Sequence, residues 1–184
     1  IYGCPQSLFK FHPDDDVVLR GILQADPEGR IVIIEGRVPE WTNRLRARWQ
    51  KTLADVYDRI VFLPAIANDD YLRLLQICDV ILDPLHFGGG NSSYEALAMG
   101  TPVVTLPSPF LRGRITAGLY HKMQMTDCIV NTTDEYISLA IRLAKDQPFR
   151  TSVRDRLAAR SGILFDDPAE VRCLEDALVC CLGR

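Results

Sequence analysis

The stretch Cys78-Asp79-Val80-Ile81-Leu82-Asp83-Pro84-Leu85-His86-Phe87-Gly88-Gly89-Gly90-Asn91-Ser92-Ser93-Tyr94-Glu95-Ala96-Leu97-Ala98-Met99-Gly100-Thr101-Pro102-Val103-Val104-Thr105 reads as strand, glycine loop, helix, tight turn and strand. Val80 to Leu82 is a short apolar run of the kind a buried parallel strand shows. Gly88, Gly89 and Gly90 let the backbone turn tightly and approach a ligand closely. Asn91, Ser92 and Ser93 are N-cap residue types, and Glu95 follows Ser92 at the spacing of a capping box. Tyr94 to Met99 propagates a helix that Gly100 ends, with Pro102 just beyond. A helix N-terminus behind a glycine loop offers free N–H groups and a partial positive charge to an anion.

Outward from this stretch, strands and helices alternate. Ile1-Tyr2-Gly3-Cys4 reads as the end of a first strand, and Pro5 to Pro13 is a proline-bounded loop. Asp14, Asp15 and Asp16 suit a helix N-terminus, with Val17, Leu19, Ile22 and Leu23 as the buried side. Ile31 to Ile34 is an uninterrupted β-branched strand. Trp41, Leu45, Trp49, Leu53 and Val56 recur at helical spacing, which predicts an amphipathic helix over residues 40–57 with both tryptophans in packing roles. Ile60 to Leu63 is the next strand, and Asn68 is placed to cap a helix running to about Cys78. Beyond the central stretch, Val103 to Leu106 and Cys128 to Val130 read as strands. Helices are predicted over Ile115–Met123, Thr133–Lys145, Gln147–Arg160 and Pro168–Leu182. Parallel strands need crossover connections, so this order predicts an open α/β sheet with helices on both faces. Its ligands bind outside the carboxyl ends of the strands, where the Gly3–Lys10, Pro64–Asn68 and Gly88 loops lie.

The chain has 184 residues, a hydrophobic content of 47% and a net charge of −3, as expected of one fair-sized soluble globular domain. That charge gives no general attraction to nucleic acid or to an anionic membrane, and no apolar run approaches the roughly 20 residues needed to span a bilayer. Arg44, Arg46, Arg48 and Lys51 read as one solvated helix face. The six cysteines form no Cys-x-x-Cys pair and read as reduced, mostly buried residues of a cytoplasmic protein. The three histidines show no metal-ligand spacing, so no metal is expected. The chain begins with Ile1 rather than Met, as a piece of a longer protein would.

The small polar residues after the glycines, the acid one turn on and the run Ala98-Met99-Gly100-Thr101-Pro102-Val103-Val104-Thr105 together resemble the donor-site helix of GT-B glycosyltransferases. Two further segments narrow the resemblance to the C-terminal half of the catalytic region of the O-GlcNAc transferase family, bacterial SPINDLY-type members especially. They are Cys4-Pro5-Gln6-Ser7-Leu8-Phe9-Lys10-Phe11-His12-Pro13 and Arg59-Ile60-Val61-Phe62-Leu63-Pro64. The resemblance fades after about Lys145. It implies a Rossmann-like parallel sheet, the C-terminal domain of a GT-B enzyme. Residues 1–184 would be one nucleotide-sugar-binding domain, and residues 168–182 a crossover helix against the absent half.

Residue by residue, the resemblance implies a donor site. Lys10 matches the family's catalytic loop lysine that contacts the donor diphosphate, and Ser7 lies in the same loop. Gly89 and Gly90 fall in the diphosphate loop, with Gly90 where some members carry a histidine. Asn91 and Ser92 fall on an adjacent threonine pair that holds the diphosphate. Glu95 falls on the acid that binds the ribose hydroxyls; a carboxylate accepts two hydrogen bonds, which suits a vicinal diol. Ile66 aligns with the position whose backbone pairs with uracil and Tyr71 with a residue that stacks near the base, while Asn68 replaces a lysine of some relatives. His86, beside the glycine loop, is given a packing or loop hydrogen-bonding role, because the family's proposed catalytic histidines lie in the other half. Arg112 and Arg114 read as a solvated basic loop.

The function so implied is donor binding, UDP-GlcNAc or a related UDP-sugar, for an inverting protein O-glycosyltransferase that needs no metal. Its partners are the UDP-sugar, an acceptor protein and the N-terminal catalytic half, preceded in many relatives by tetratricopeptide repeats; the isolated domain is expected to be inactive. Two alternatives stay open: an enzyme domain like UDP-GlcNAc 2-epimerase, and a non-catalytic nucleotide-sugar-binding or interaction module.

Overall fold

The computed structural model describes residues 1–183. Five parallel strands form one sheet: β1 (Tyr2–Gly3), β2 (Ile31–Ile34), β3 (Ile60–Leu63), β4 (Val80–Leu82) and β5 (Val103–Val104), in the order β3-β2-β1-β4-β5. The helices are α1 (Pro13–Ala25), α2 (Pro39–Thr52), α3 (Asn68–Ile77), α4 (Asn91–Ala98), α5 (Ile115–Lys122), α6 (Thr133–Lys145), α7 (Gln147–Arg160) and α8 (Pro168–Cys181). Right-handed crossovers put α1 and α2 on one face and α3 and α4 on the other. α6 packs on α1, and α3 packs on α4, so both faces are covered as the alternation predicts. The chain winds outward from β1 to β3, then returns across the sheet to β4. The strand order therefore reverses between β1 and β4, which places a ligand-binding crevice at their carboxyl ends.

The core takes its large side chains from both layers: Tyr2, Ile31, Ile33, Ile81 and Leu82 from strands, Ile22, Leu23, Trp49, Leu75, Tyr120 and Tyr136 from helices. One buried charge ties α1 to α2. Asp16 accepts from Arg48 Nη2 (2.9 Å), Trp49 Nε1 (2.7 Å) and Thr52 Oγ1 (2.8 Å). Removing one partner of a buried pair leaves the others desolvated and unpaired, at about 3–5 kcal/mol. Asp16→Ala is accordingly expected to lower the melting temperature by roughly 6–20 °C, read by thermal denaturation.

Several local expectations shift. In α1 the buried face carries Asp15, Asp16, Val18, Leu19, Ile22 and Leu23, whereas Val17 is 65% exposed. The helix starts at Pro13 with His12 as N-cap, and the adjacent pairs at three- and four-residue spacing define the inner stripe. α2 ends at Thr52; Leu53 and Val56 are still buried, in the turn before a 3-10 segment at Tyr57–Arg59. Ala67, not Asn68, is the N-cap of α3, and no side chain caps it. Leu106 lies outside β5, and Cys128–Val130 makes one parallel bridge, Ile129 to Thr105, instead of a strand. The basic run divides. Arg44 and Lys51 are solvated, but Arg46 lies 4.2 Å over the Phe62 ring and pairs with Glu35 at 2.6 Å, and Arg48 serves Asp16.

All six cysteines are free, but only Cys4, Cys78 and Cys128 are buried; Cys173, Cys180 and Cys181 are exposed on α8. Burial pushes the Cys78 thiol up to about 11 and the Cys128 thiol up to about 12, so neither is a ready nucleophile. Val171, Leu174, Leu178 and Leu182 are all exposed. Among the described residues no helix is long and apolar enough to cross a membrane.

Candidate functional site

The crevice at the sheet's reversal is built by two loops. The β1 loop runs from Cys4 through a 3-10 turn at Leu8–Lys10, and the β4 loop runs from Asp83 to Gly90. Lys10 joins them: its ammonium donates to Gln6 Oε1 (2.9 Å) in its own loop and to the Gly88 carbonyl (2.9 Å) in the other. It also lies 4.8 Å from the Phe87 ring centre. Gln6, 5% exposed, turns its amide to Ser92 Oγ (2.8 Å) and so reaches the first turn of α4. Burial pulls the Lys10 pKa below the usual lysine value, and the nearby Asp83 carboxylate opposes that shift.

Asp83 anchors the glycine loop from beneath. Fully buried, it accepts from the Gly89 amide (2.6 Å) and the Thr105 hydroxyl (2.8 Å). Burial raises its pKa, and the Gly89 bond is the first of the contacts that oppose this. The loop is tight. A Cβ on Gly88 would come within 2.9 Å of the Asp83 carboxylate oxygens, and one on Gly89 would overlap Ser93 Oγ and sit 2.8 Å from Ser92 Oγ. Gly90 differs: a Cβ there would meet nothing within 4 Å.

α4 begins at Asn91 with Gly90 as N-cap, and no side chain caps it. The predicted Ser92–Glu95 capping box does not form, because the helix starts at Asn91 with Gly90 as N-cap, which puts Ser92 inside its first turn, and both side chains have other partners. Ser92 accepts from Gln6, and Glu95 lies beside the Tyr71 hydroxyl, whose pKa is raised first by burial and then by this carboxylate. The Ser93 and Tyr94 amides both turn back to the Gly90 carbonyl (2.9 and 3.2 Å). The first-turn amides of an uncapped helix present their donors and the helix dipole to an anion.

Beside this edge opens a cleft of about 720 Å³ at the carboxyl ends of β1, β2 and β3. Ser7, Ile66, Asn68 and Tyr71 line it, as do Glu35, Arg37 and Trp41. The predicted residues thus fall into two adjoining groups, the cleft wall and the anion edge of Lys10, Gly89, Asn91 and Ser92, with Glu95 and Tyr71 at the seam. Trp41 corrects its predicted packing role: it is 42% exposed on the cleft wall, while Trp49 is fully buried. Gln6 and Asp83 were not assigned from sequence. A glutamine inside the matching loop and an acid at the end of β4 were the available signals.

His86 makes the predicted loop hydrogen bond, Nε2 to Asp14 Oδ2 at 2.7 Å. The fold also brings His12 to it, with ring centres 4.4 Å apart. Sequence spacing concealed this cluster, because the two histidines come from different loops.

A doubly wound sheet with its cleft and an uncapped helix N-terminus at the reversal defines a nucleotide-binding domain of the Rossmann-like kind used by GT-B enzymes. The model of glycosyl transferase family 41 matches residues 1–169, and the chain belongs to that family as the UDP-sugar-binding, C-terminal region of a GT-B glycosyltransferase. It is 31% identical over 122 residues to the Caenorhabditis elegans UDP-N-acetylglucosamine–peptide N-acetylglucosaminyltransferase, covering 65% of the chain and 11% of that protein. It is 29% identical over 184 aligned residues to the probable SPINDLY transferase of Hordeum vulgare, covering 96% of the chain and 19% of that protein. The structure of a Thermobaculum terrenum O-GlcNAc transferase mutant superposes with a TM-score of 0.84 at 28% identity, over 96% of this chain and 35% of that one. The chain therefore spans only a minor part of these relatives' length.

Proposed function

We propose that this chain binds the UDP-sugar donor, UDP-GlcNAc or a close relative, for an inverting transfer to a protein hydroxyl. The observation that carries the reading is the Lys10–Gln6–Ser92 and Lys10–Gly88 network, which fixes a cation at the uncapped start of α4. In the reaction the acceptor oxygen bonds to the anomeric carbon while the bond from that carbon to the diphosphate oxygen breaks. A base in the other catalytic half takes the acceptor proton. UDP leaves with added negative charge, which the Lys10 ammonium and the amides of Asn91 and Ser92 meet. Glu95 accepts the ribose hydroxyls, and Ile66 and Tyr71 hold the uracil, with Ser7 and Asn68 on the cleft wall. Lys10 and the helix N-terminus supply the positive charge that a cation supplies in metal-dependent transferases.

Calorimetric titration of the chain with UDP tests this. UDP is expected to bind in preference to ADP and GDP. Lys10→Ala and Glu95→Ala each remove charge-assisted hydrogen bonds, at about 1.5–3 kcal/mol, and should weaken UDP roughly ten- to a hundredfold. A folded chain that binds the three nucleotides alike would sink the uracil assignment. Affinity unchanged by either substitution would sink the diphosphate and ribose assignments.

A further inference from the structure

On the far side of the β4 loop from the cleft, two imidazoles and a carboxylate converge. His12 Nδ1 is 3.3 Å from Asp14 Oδ2, and His86 Nε2 is 2.7 Å from the same oxygen. One donor atom from each of the three residues can be chosen within 4.8 Å of the others. Donors about 2.0–2.1 Å from a tetrahedral ion stand roughly 3.3 Å apart, so the His12–Asp14 contact already fits, the His86–Asp14 contact opens by about half an ångström, and the two imidazole donors, within 4.8 Å of each other, draw in around the ion.

The convergence is braced from below. The buried carboxylate of Asp15 accepts the His12 amide at 2.7 Å through one oxygen and the Leu85 amide at 2.9 Å through the other. A single side chain thus sets the spacing of both histidine-bearing loops. Arg112 Nε adds a bond to the His86 carbonyl at 3.3 Å. Asp14 and His86 also line a groove of about 490 Å³ with Val17, Leu85, Leu106 and Pro107, which leaves the remaining coordination positions open to water or a small ligand.

We propose that His12, Asp14 and His86 form a binding site for one borderline divalent cation of the zinc, nickel or cobalt kind. Two imidazoles and one carboxylate suit these ions, whereas magnesium prefers an all-oxygen shell. The ion takes the His12 lone pair that now accepts the long 3.2 Å bond from the Asp14 amide. It takes no part in sugar transfer. It pins the β1 loop to the β4 loop, and the proposal stands independently of the donor reading.

Nickel titration tests the site, on a background in which the exposed thiols Cys173, Cys180 and Cys181 are replaced by serine. One Ni²⁺ per chain is expected, as suits a site with two imidazole donors. Magnesium should give no heat. Losing even an outer partner of a metal site costs about 10–100-fold in affinity, so His86→Ala and Asp14→Ala should each weaken Ni²⁺ by at least roughly tenfold. His12→Asn should do the same while keeping an oxygen to cap α1, which separates ligand loss from unfolding. Failure to bind up to millimolar Ni²⁺ overturns the proposal, as does binding that survives loss of either histidine.

Discussion

If the chain serves the proposed transfer, Lys10→Ala in the full-length protein is expected to cut turnover by about 10²–10³-fold, the usual cost of losing one preorganised group aimed at developing charge. An ammonium has three donors, and Lys10 spends two on neutral oxygens, Gln6 Oε1 and the Gly88 carbonyl. Among the described residues no carboxylate lies within ion-pair range of its nitrogen, although the buried Asp83 carboxylate acts on it from further off. The placement is also rigid, because both acceptors belong to the loops that frame the diphosphate edge. On the proposed donor-site reading, charge so placed would stabilise departing UDP more than bound UDP-sugar. The loss should therefore fall on kcat more than on KM. Lys10→Arg should not rescue, because a planar fork cannot reproduce a point charge between two fixed carbonyl oxygens. Steady-state kinetics on the full-length protein decides it, and an unchanged kcat removes Lys10 from the chemistry.

How far the site was legible depended on whether its parts were local. Ile31–Ile34 and Val80–Leu82 announce themselves because a strand buried on both faces needs no polar alternation. The α4 stretch is as plain, since glycines, cap-type residues and a closing Gly100 at φ +71° occur in order. Ile66, Asn68 and Tyr71 line one cleft, a grouping that the resemblance supplied and periodicity alone could not, and Ser7 of the Lys10 loop joins them there. What stayed hidden depends on pairs far apart in sequence. Gln6 matters because Ser92, 86 residues on, accepts its amide. Asp83 reads as the polar end of a strand until the fold closes the glycine loop over it. Trp41 satisfied a helical stripe and was assigned to packing, yet the stripe's first residue overhangs the cleft. The capping box failed for a related reason. Ser92 and Glu95 fit the local pattern, but the helix starts earlier, behind Gly90, and Gln6 and Tyr71 then take the two side chains.

The same tightness of the glycine loop yields the sharpest contrast between neighbours. Gly89→Ala is expected to abolish most UDP binding, whereas Gly90→Ala should leave it within about threefold. A methyl at 89 points into Ser93 Oγ, which is buried and hydrogen-bonded to Thr116 Oγ1 at 2.8 Å. Relief requires either that Ser93 give up Thr116 or that the loop lift and give up the 2.6 Å bond from the Gly89 amide to Asp83. Overpacking of this kind costs about 1–3 kcal/mol, and a buried carboxylate left short of a donor adds to it. Lifting the loop also shifts the Gly88 carbonyl that positions Lys10, so the strain is transmitted to the cation that the diphosphate would meet. At 90 the added methyl meets no atom within 4 Å, and that backbone has no positive φ to oppose it. A pair of UDP titrations reads the contrast, and equal losses at both positions would show that loop flexibility, not the close approach at 89, is what binding needs. The double variant Gly89→Ala with Ser93→Ala supplies the deciding case. It deletes the atom that the new methyl overlaps, so affinity should recover part of the way toward wild type. No recovery would assign the loss to some cause other than this contact.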